Sequence, residues 1–316
     1  MANFIIRTSN HDEWLEARKG GIGASEIGTI LGVNPYDTPY QLWLRKTGRA
    51  PAIQENFLMK AGHYLEDAIA QFCADETGVQ IIKNSANEFL VVNKDKPHLR
   101  VSPDRYAWLP NSRHTKDNKV IIECKSTQKF ISETDIPLPW FVQVMYQLGV
   151  CEMDQAYLAW LSQGRDFGYK QIRFDKDLFN DVIVAEIDKF WKDNILGDQE
   201  PALINVDDVK IKYPVHNAGK SIDASEELLE TCNQLMDVNA QIKELDKKKT
   251  EYEDALKFAM ADSESIISPS GKVLATWKAS KSSLKFDEKK FAAENPELHK
   301  KFLSETQGSR RFSFKL

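Results

Sequence analysis

The sequence predicts an α+β protein, with a large mixed region first and a small appendage last, and three observations carry that prediction. Across the first 200 residues, helical-period segments are interspersed with short apolar or alternating runs of strand length. From Gly197 to Lys220 the pattern dissolves into a stretch containing Pro, Asp and Asn. Beyond it, Ala224 to Met260 reads as one long, charged helix, followed by short strand-like and helical segments. These breaks place a core at 1–200, a linker at 201–220 and an appendage at 221–316.

Taken in order, Asn10 can cap a helix, with Glu13 three residues on and Trp14, Leu15 and Arg18 at helical spacing. Gly20-Gly21-Ile22-Gly23-Ala24 breaks it, and Ser25 is placed to cap a short helix from Glu26 to Leu31. The turn Asn34-Pro35-Tyr36 leads to a helix around Pro39–Lys46, and Phe57 to Thr77 is a longer amphipathic helix closed by Gly78. Val79–Lys83, Glu88–Val92 and Leu99–Val101 read as strands, followed by a turn at Asp104 and the apolar strand Val120-Ile121-Ile122. A helix from Trp140 to Cys151 starts behind Pro139. Gln155–Leu161 and Gly168–Phe174 form a strand pair, and Leu178–Ile195 another helix.

In the appendage, Leu228, Leu229, Leu235, Met236, Ile242, Leu245, Tyr252 and Leu256 give the long helix a heptad tendency. The heptads are imperfect, which favours antiparallel pairing or intramolecular docking over a true coiled coil. Ser265–Ile267 and Lys272–Lys278 flank a Pro269-Ser270-Gly271 turn, a helix follows in 287–304, and Arg311–Lys315 reads as a final strand.

The hydrophobic content of 42% and charged content of 28% are those of an ordinary globular protein. No apolar run reaches the roughly 18 residues needed to cross a bilayer, and Met1 to Arg7 lacks a signal-peptide pattern, so no membrane role is expected. Cys73, Cys124, Cys151 and Cys232 show neither Cys-x-x-Cys spacing nor disulfide density, which predicts reduced thiols in a cytoplasmic setting. The net charge of −5 argues against a coat of basic residues for duplex DNA. The charge is uneven: residues 221–262 carry 11 acidic and 5 basic side chains, residues 271–316 carry 5 acidic and 11 basic.

The chemistry concentrates at Asp104 and Glu123-Cys124-Lys125. On a strand, Glu123 and Lys125 share a face while Cys124 points into the packing. Asp104, on a neighbouring element, can join them. Two carboxylates and the Cys124 backbone carbonyl make a hard oxygen site suited to Mg²⁺ or Mn²⁺, with Lys125 placed to orient or deprotonate an attacking water. Acid-x-Lys triplets also occur at Asp117, Asp208, Asp246, Asp287 and Glu288, but only Glu123 has both an apolar strand before it and Ser126-Thr127 after it. Glu66, among the apolar Leu65, Ala68 and Ile69, is a candidate third acidic ligand. Arg18 and Ser25 pair a phosphate-matching guanidinium with a helix N-terminus behind small residues; the alternative, favoured on spacing alone, is an ordinary helix–turn–helix with a surface arginine. Gln143, one turn before Gln147, can hold Lys125 or a water; the alternative for both is an amphipathic helix edge.

In unbroken order, Trp14-x-x-x-Arg18, Gly23-Ala24-Ser25-Glu26, Gly62-x-x-x-Glu66, Ser102-Pro103-Asp104, Glu123-Cys124-Lys125 and Gln143-Val144-x-x-Gln147 cover residues 10–195. Over that span the chain resembles the YqaJ-type viral recombinase family and, more distantly, lambda exonuclease, both of the PD-(D/E)-x-K nuclease superfamily. The resemblance implies an α/β/α core with a mixed central sheet. It implies a 5′→3′ exonuclease that degrades one strand of a duplex from its end, using two divalent metals. The product is a 3′ overhang for a single-strand annealing protein. By position, Asp104, Glu123, the Cys124 carbonyl and Glu66 are implied metal ligands, Lys125 and Gln143 serve the nucleophile, and Arg18 and Ser25 hold the 5′-phosphate. A homo-oligomeric ring, favoured as a trimer, is also implied. Arg105 departs from the pattern, standing where a glycine commonly follows the catalytic Asp, and the segment after Gly197 has no counterpart in lambda exonuclease. A structure-specific or restriction-like endonuclease and a non-enzymatic DNA-end adaptor are the alternatives. The terminal-phosphate residues weigh against the first, the intact Asp104, Glu123 and Lys125 against the second.

Overall fold

A computed structural model describes residues 3–51, 53, 54, 56–82, 89–305 and 308–315. The chain divides into two compact units, Met1–Ile211 and Lys212–Leu316.

In the first unit, β1 (Phe4–Arg7) and α1 (His11–Lys19) lead to a tight turn at Ala24–Glu26. Then come α2 (Ile27–Ile30), α3 (Pro39–Lys46), α4 (Phe57–Thr77), β2 (Gln80–Ile81), β3 (Phe89–Val92), β4 (Arg100–Val101) and β5 (Arg105–Trp108). Next are β6 (Lys119–Thr127), α5 (Leu138–Cys151), β7 (Gln155–Ser162), β8 (Asp166–Arg173), α6 (Ala185–Lys189) and α7 (Val206–Lys212). α6 is flanked by wide-turned helical segments, Leu178–Val184 and Phe190–Leu196. The central sheet has the order β2-β5-β6-β7-β8; β6 and β7 run parallel through the α5 crossover and every other pair is antiparallel, so the sheet is mixed. A second, antiparallel sheet has the order β1-β3-β4.

Alternation on β6 divides the core between the two faces of the sheet. Ile121 joins Leu158 and Trp160 in the cluster that contains Val144, Met145 and Leu148 of α5. Val120, Ile122 and Cys124 join Ala159 and Leu161 in the cluster that contains Ile69, Ala70 and Cys73 of α4. The result is a helix–sheet–helix sandwich, as the alternation and the flanking helical periods require.

Local signals read from the sequence act as expected at most ends. The Asn10 side chain accepts from the backbone N–H of Glu13, and Gly78 closes α4 at φ +75°; Thr38, not singled out from the sequence, likewise caps α3 by accepting from the N–H of Gln41. Three expectations are corrected in the first unit. Ser25 is not a cap: Gly23 occupies that position, and Glu26 folds back to accept from its N–H at 2.7 Å. β1 was not expected; it is recruited by pairing with β3 from Phe4↔Val92 to Arg7↔Phe89, a non-local contact without local signal. The expected linker contains α7, whose Asp208 is fully buried, and residues up to Ile211 belong to the first unit. Lys83 and Glu88, ends of two expected strands, lie outside the described residues.

The second unit contains α8 (Glu226–Met260), the hairpin β9 (Ser265–Ile267) and β10 (Val273–Thr276), α9 (Glu288–Glu294) and α10 (Pro296–Phe302). The single helix expected over 287–304 is split because Pro296 cannot continue the hydrogen-bond ladder. Arg311–Lys315 is not a strand; its sheet partners are absent among the described residues, and an isolated strand leaves its backbone unpaired. Ser225 caps α8 by accepting from the N–H of Leu228.

Candidate active site

β6 ends in Glu123-Cys124-Lys125, and its twofold alternation sends Glu123 and Lys125 to the α5 face while Cys124 packs toward α4. Glu123 is only 1% exposed, so its charge requires partners inside the protein. It has three. The Lys125 ammonium donates to its Oε1 at 2.7 Å, Gln143 Nε2 donates to the same oxygen, and Gln147 Nε2 donates to Oε2 at 2.8 Å. Gln143 and Gln147 lie one turn apart on α5, and Gln143 Oε1 also accepts from Lys125 at 3.0 Å.

Asp104 stands just before β5, in the strand pair that carries it beside β6. Its Oδ2 accepts from the Cys124 N–H at 2.8 Å, and its Oδ1 has no protein partner among the described residues. Burial, then the charges of Glu123 and Glu66, hold the Asp104 carboxyl well above the usual range. Lys125 responds in the other direction: burial works against its charge, but Glu123 and Asp104 outweigh it and hold the ammonium above its ordinary value. Glu66, on α4, is 9% exposed and accepts from or pairs with His63 Nδ1 at 2.9 Å. Arg105 Nη1 lies 3.6 Å from Glu66 and its Nη2 2.7 Å from Asp67, so the arginine that replaces glycine ties β5 to α4 across the acidic cluster.

Arg18, at the end of α1, donates to Ser25 Oγ at 3.2 Å and stacks over the Trp14 ring at 4.6 Å. A Cβ at Gly23 would come within 2.8 Å of Arg18 Nη2, so the small residue there makes room for the guanidinium. Together these groups line one cavity of about 470 Å³: Arg18, Ser25, Glu66, Asp104, Glu123, Lys125 and Gln143, with Cys124 beside them. The candidate site residues read from the sequence therefore converge on one space, with Gln147 buried behind them on Glu123. Trp14, His63, Leu90, Arg100 and Ser102 line it as well. Arg100 was missed because it sits on a two-residue strand with no motif of its own; its one signal is the paired glycine at 20–21, whose function only the fold reveals.

The cavity offers the carboxylates of Asp104, Glu123 and Glu66, hard oxygen donors of the kind a divalent ion takes. Among the described residues, no three or more His, Cys, Asp or Glu side chains come together closely enough to hold a metal ion by themselves. Glu123 and Glu66 both act on the Asp104 carboxyl across this cavity, which leaves space for solvent or substrate oxygens.

The chain is similar to several known proteins. Residues 13–154 match the sequence pattern of the YqaJ-like viral recombinase domain. The chain is 32% identical to the protein YqaJ of Bacillus subtilis (strain 168), over 97% of this chain and 94% of that one. Among solved structures it is similar to an alkaline exonuclease (LHK-Exo) from Laribacter hongkongensis, with 16% identity, coverage of 59% of this chain and 94% of that one, and a TM-score of 0.45. It is also similar to a phage related exonuclease from Haemophilus somnus 129PT, with 13% identity, coverage of 57% and 96%, and a TM-score of 0.39. With a relative matched along almost its whole length, the chain belongs to the YqaJ-like viral recombinase family.

Proposed function

We propose that this protein is a metal-dependent exonuclease that hydrolyses double-stranded DNA in the 5′→3′ direction from a 5′-phosphorylated end. It leaves a 3′ single-stranded overhang for phage-type recombination by strand annealing. The observation that supports this most directly is the shared cavity: a carboxylate–lysine cluster able to serve hydrolysis opens onto the same space as Arg18 and Ser25, which suit a terminal phosphate.

In this reading Asp104, Glu123, the Cys124 carbonyl and Glu66 hold Mg²⁺ or Mn²⁺, two ions per site. Such ions supply charge neutralisation at the scissile phosphate and a nucleophile accessible at neutral pH. Lys125, fixed by Glu123 and Gln143, orients or deprotonates the attacking water. Gln143 keeps the lysine from swinging away, and Gln147 holds the far oxygen of Glu123 so that its carboxylate keeps one orientation. Arg18, flattened against Trp14, presents its fork to the 5′-phosphate while Ser25 steadies it. Fixing the end of the strand sets which phosphodiester reaches the carboxylates, which is the positioning contribution to the rate. A homo-oligomeric ring, a trimer by resemblance, and an annealing protein that receives the overhang complete the proposal.

The test compares linear duplex with covalently closed circular DNA in Mg²⁺, with the linear ends labelled at 5′ or 3′. Release of 5′ label from the linear form alone, abolished by a chelator, is the expected result. Cleavage of the closed circle, or release of 3′ label first, overturns the assignment.

A further inference from the structure

The Gly20–Ser25 turn gathers more positive charge than it neutralises. Lys46 reaches beneath it: its ammonium donates to Gly21 O at 2.6 Å and lies 2.8 Å from Glu26 Oε2, which itself accepts from the Gly23 N–H. Burial pushes the Lys46 ammonium below its ordinary value; Glu26 works against that, and the charges of Arg18 and Arg100 add to it. Three cations therefore share one neighbourhood with the one carboxylate that pairs with Lys46.

Arg100 is held by main chain rather than by acid. Its Nε donates to Pro97 O at 2.8 Å and its Nη1 to Ala17 O in the last turn of α1, while its Nη2 has no protein partner among the described residues. Among those residues neither Arg18 nor Arg100 has a carboxylate at ion-pair distance. The surrounding chain is cut to fit: a Cβ at Gly20 would lie 2.7 Å from Arg100 Nη1, and one at Gly21 2.9 Å from its Cδ. Burial lowers the Arg100 guanidinium from its ordinary value, so its charge stands in the cavity wall without a counter-ion.

We propose that Arg100 is a second anion-binding residue of the terminal-phosphate pocket, acting with Arg18 to select a dianionic phosphomonoester over an internal phosphodiester. The inference rests on the reading of Arg18 and Ser25 given above and extends it to a residue outside every motif. With Glu26 set against Lys46, two guanidinium charges remain; a terminal phosphomonoester carries about −1.5 to −2 at neutral pH, an internal diester only about −1. Lys46 and Glu26 serve as the scaffold that keeps the turn, and with it Ser25, in place.

The experiment measures equilibrium binding of a hairpin duplex with one open end, in EDTA so that no turnover occurs, for the 5′-phosphate and 5′-hydroxyl forms. Each guanidinium contributes about ten-fold to the phosphate preference, the scale of a charge-assisted hydrogen bond. Arg100→Gln therefore lowers the phosphate-to-hydroxyl affinity ratio by about ten-fold. Arg100→Lys lowers it less, because a point charge cannot form a fork. An equal loss for both duplexes means a purely structural role and overturns the proposal. A ratio unchanged in Arg100→Gln, while Arg18→Ala lowers it, removes Arg100 but leaves the pocket. Absence of any preference in the wild-type protein removes both. Should Arg100→Gln fail to fold, Arg100→Lys decides: an undiminished ratio in that variant overturns the assignment.

Discussion

At one end of the cavity, Glu123 is fixed by three side chains from β6 and α5; at the other, Arg18 and Arg100 are fixed by a hydroxyl, an indole ring and main-chain carbonyls. The acidic end is built on regular elements, where i,i+2 on a strand and i,i+4 on a helix dictate which groups meet. The basic end is built on an irregular turn, where glycines at 20, 21 and 23 let guanidinium groups come against backbone. One end gathers carboxylates around a single lysine; the other gathers guanidinium groups. The function proposed above, hydrolysis at a nucleic-acid terminus with bound metal, would use both ends at once.

The contrast breaks most visibly at the acidic end. Asp104→Asn, Glu123→Gln and Lys125→Ala should each lower duplex hydrolysis by at least about 10³-fold, because groups that act as a unit fail together. Single-turnover rates at saturating enzyme, with thermal unfolding as the check on fold, measure this. Retention of substantial turnover by Lys125→Ala would falsify its role at the nucleophile. Chelation of divalent ions should stop the reaction to the same extent and be reversed by added Mg²⁺.

A smaller, selective effect belongs to the basic end. Arg18→Ala should lose about ten- to a hundred-fold on 5′-phosphorylated ends, and much less on 5′-hydroxyl ends. Competing the two ends in one reaction reads the ratio directly, and an equal loss on both ends would erase the distinction between the two halves of the cavity.

Far from the cavity, Asp208 tests the boundary of the first unit. Its carboxylate is fully buried and accepts from Thr38 Oγ1 at 2.7 Å, Gln41 Nε2 at 3.0 Å and the Ile204 N–H at 3.1 Å. Asp208→Ala strands these donors and should destabilise the protein by about 2–4 kcal/mol, read from denaturant midpoints. A truncation beginning at 205 removes the same anchor, whereas one beginning after Lys212 spares it. The shorter deletion should leave hydrolysis of short duplexes within a few-fold of wild type and reduce processivity, assembly or partner binding. A folded, soluble form of that deletion with no activity on short duplex ends shows instead that the second unit completes the active site.

What the sequence determined by itself was the acidic half of the site and the elements beneath it. An apolar strand running into Glu123-Cys124-Lys125 forces the alternation, Gln143 and Gln147 fall one turn apart, and Asn10 and Gly78 mark helix ends through a local hydrogen bond and a positive φ. These are short-range consequences of period and propensity, so they are legible in any window of a dozen residues. Tertiary structure alone decided the remainder. Pairing of β1 with β3 spans more than eighty residues. Docking of Asp208 under Thr38 makes part of an apparent linker into core. Arg100 arrives beside Arg18 because the chain between Pro97 and β4 folds back against the Gly20–Gly21 turn. The physical reason is common to all three: each rests on a contact between segments far apart in the chain, whose partner is chosen by burial and close packing and leaves no periodic trace in either segment.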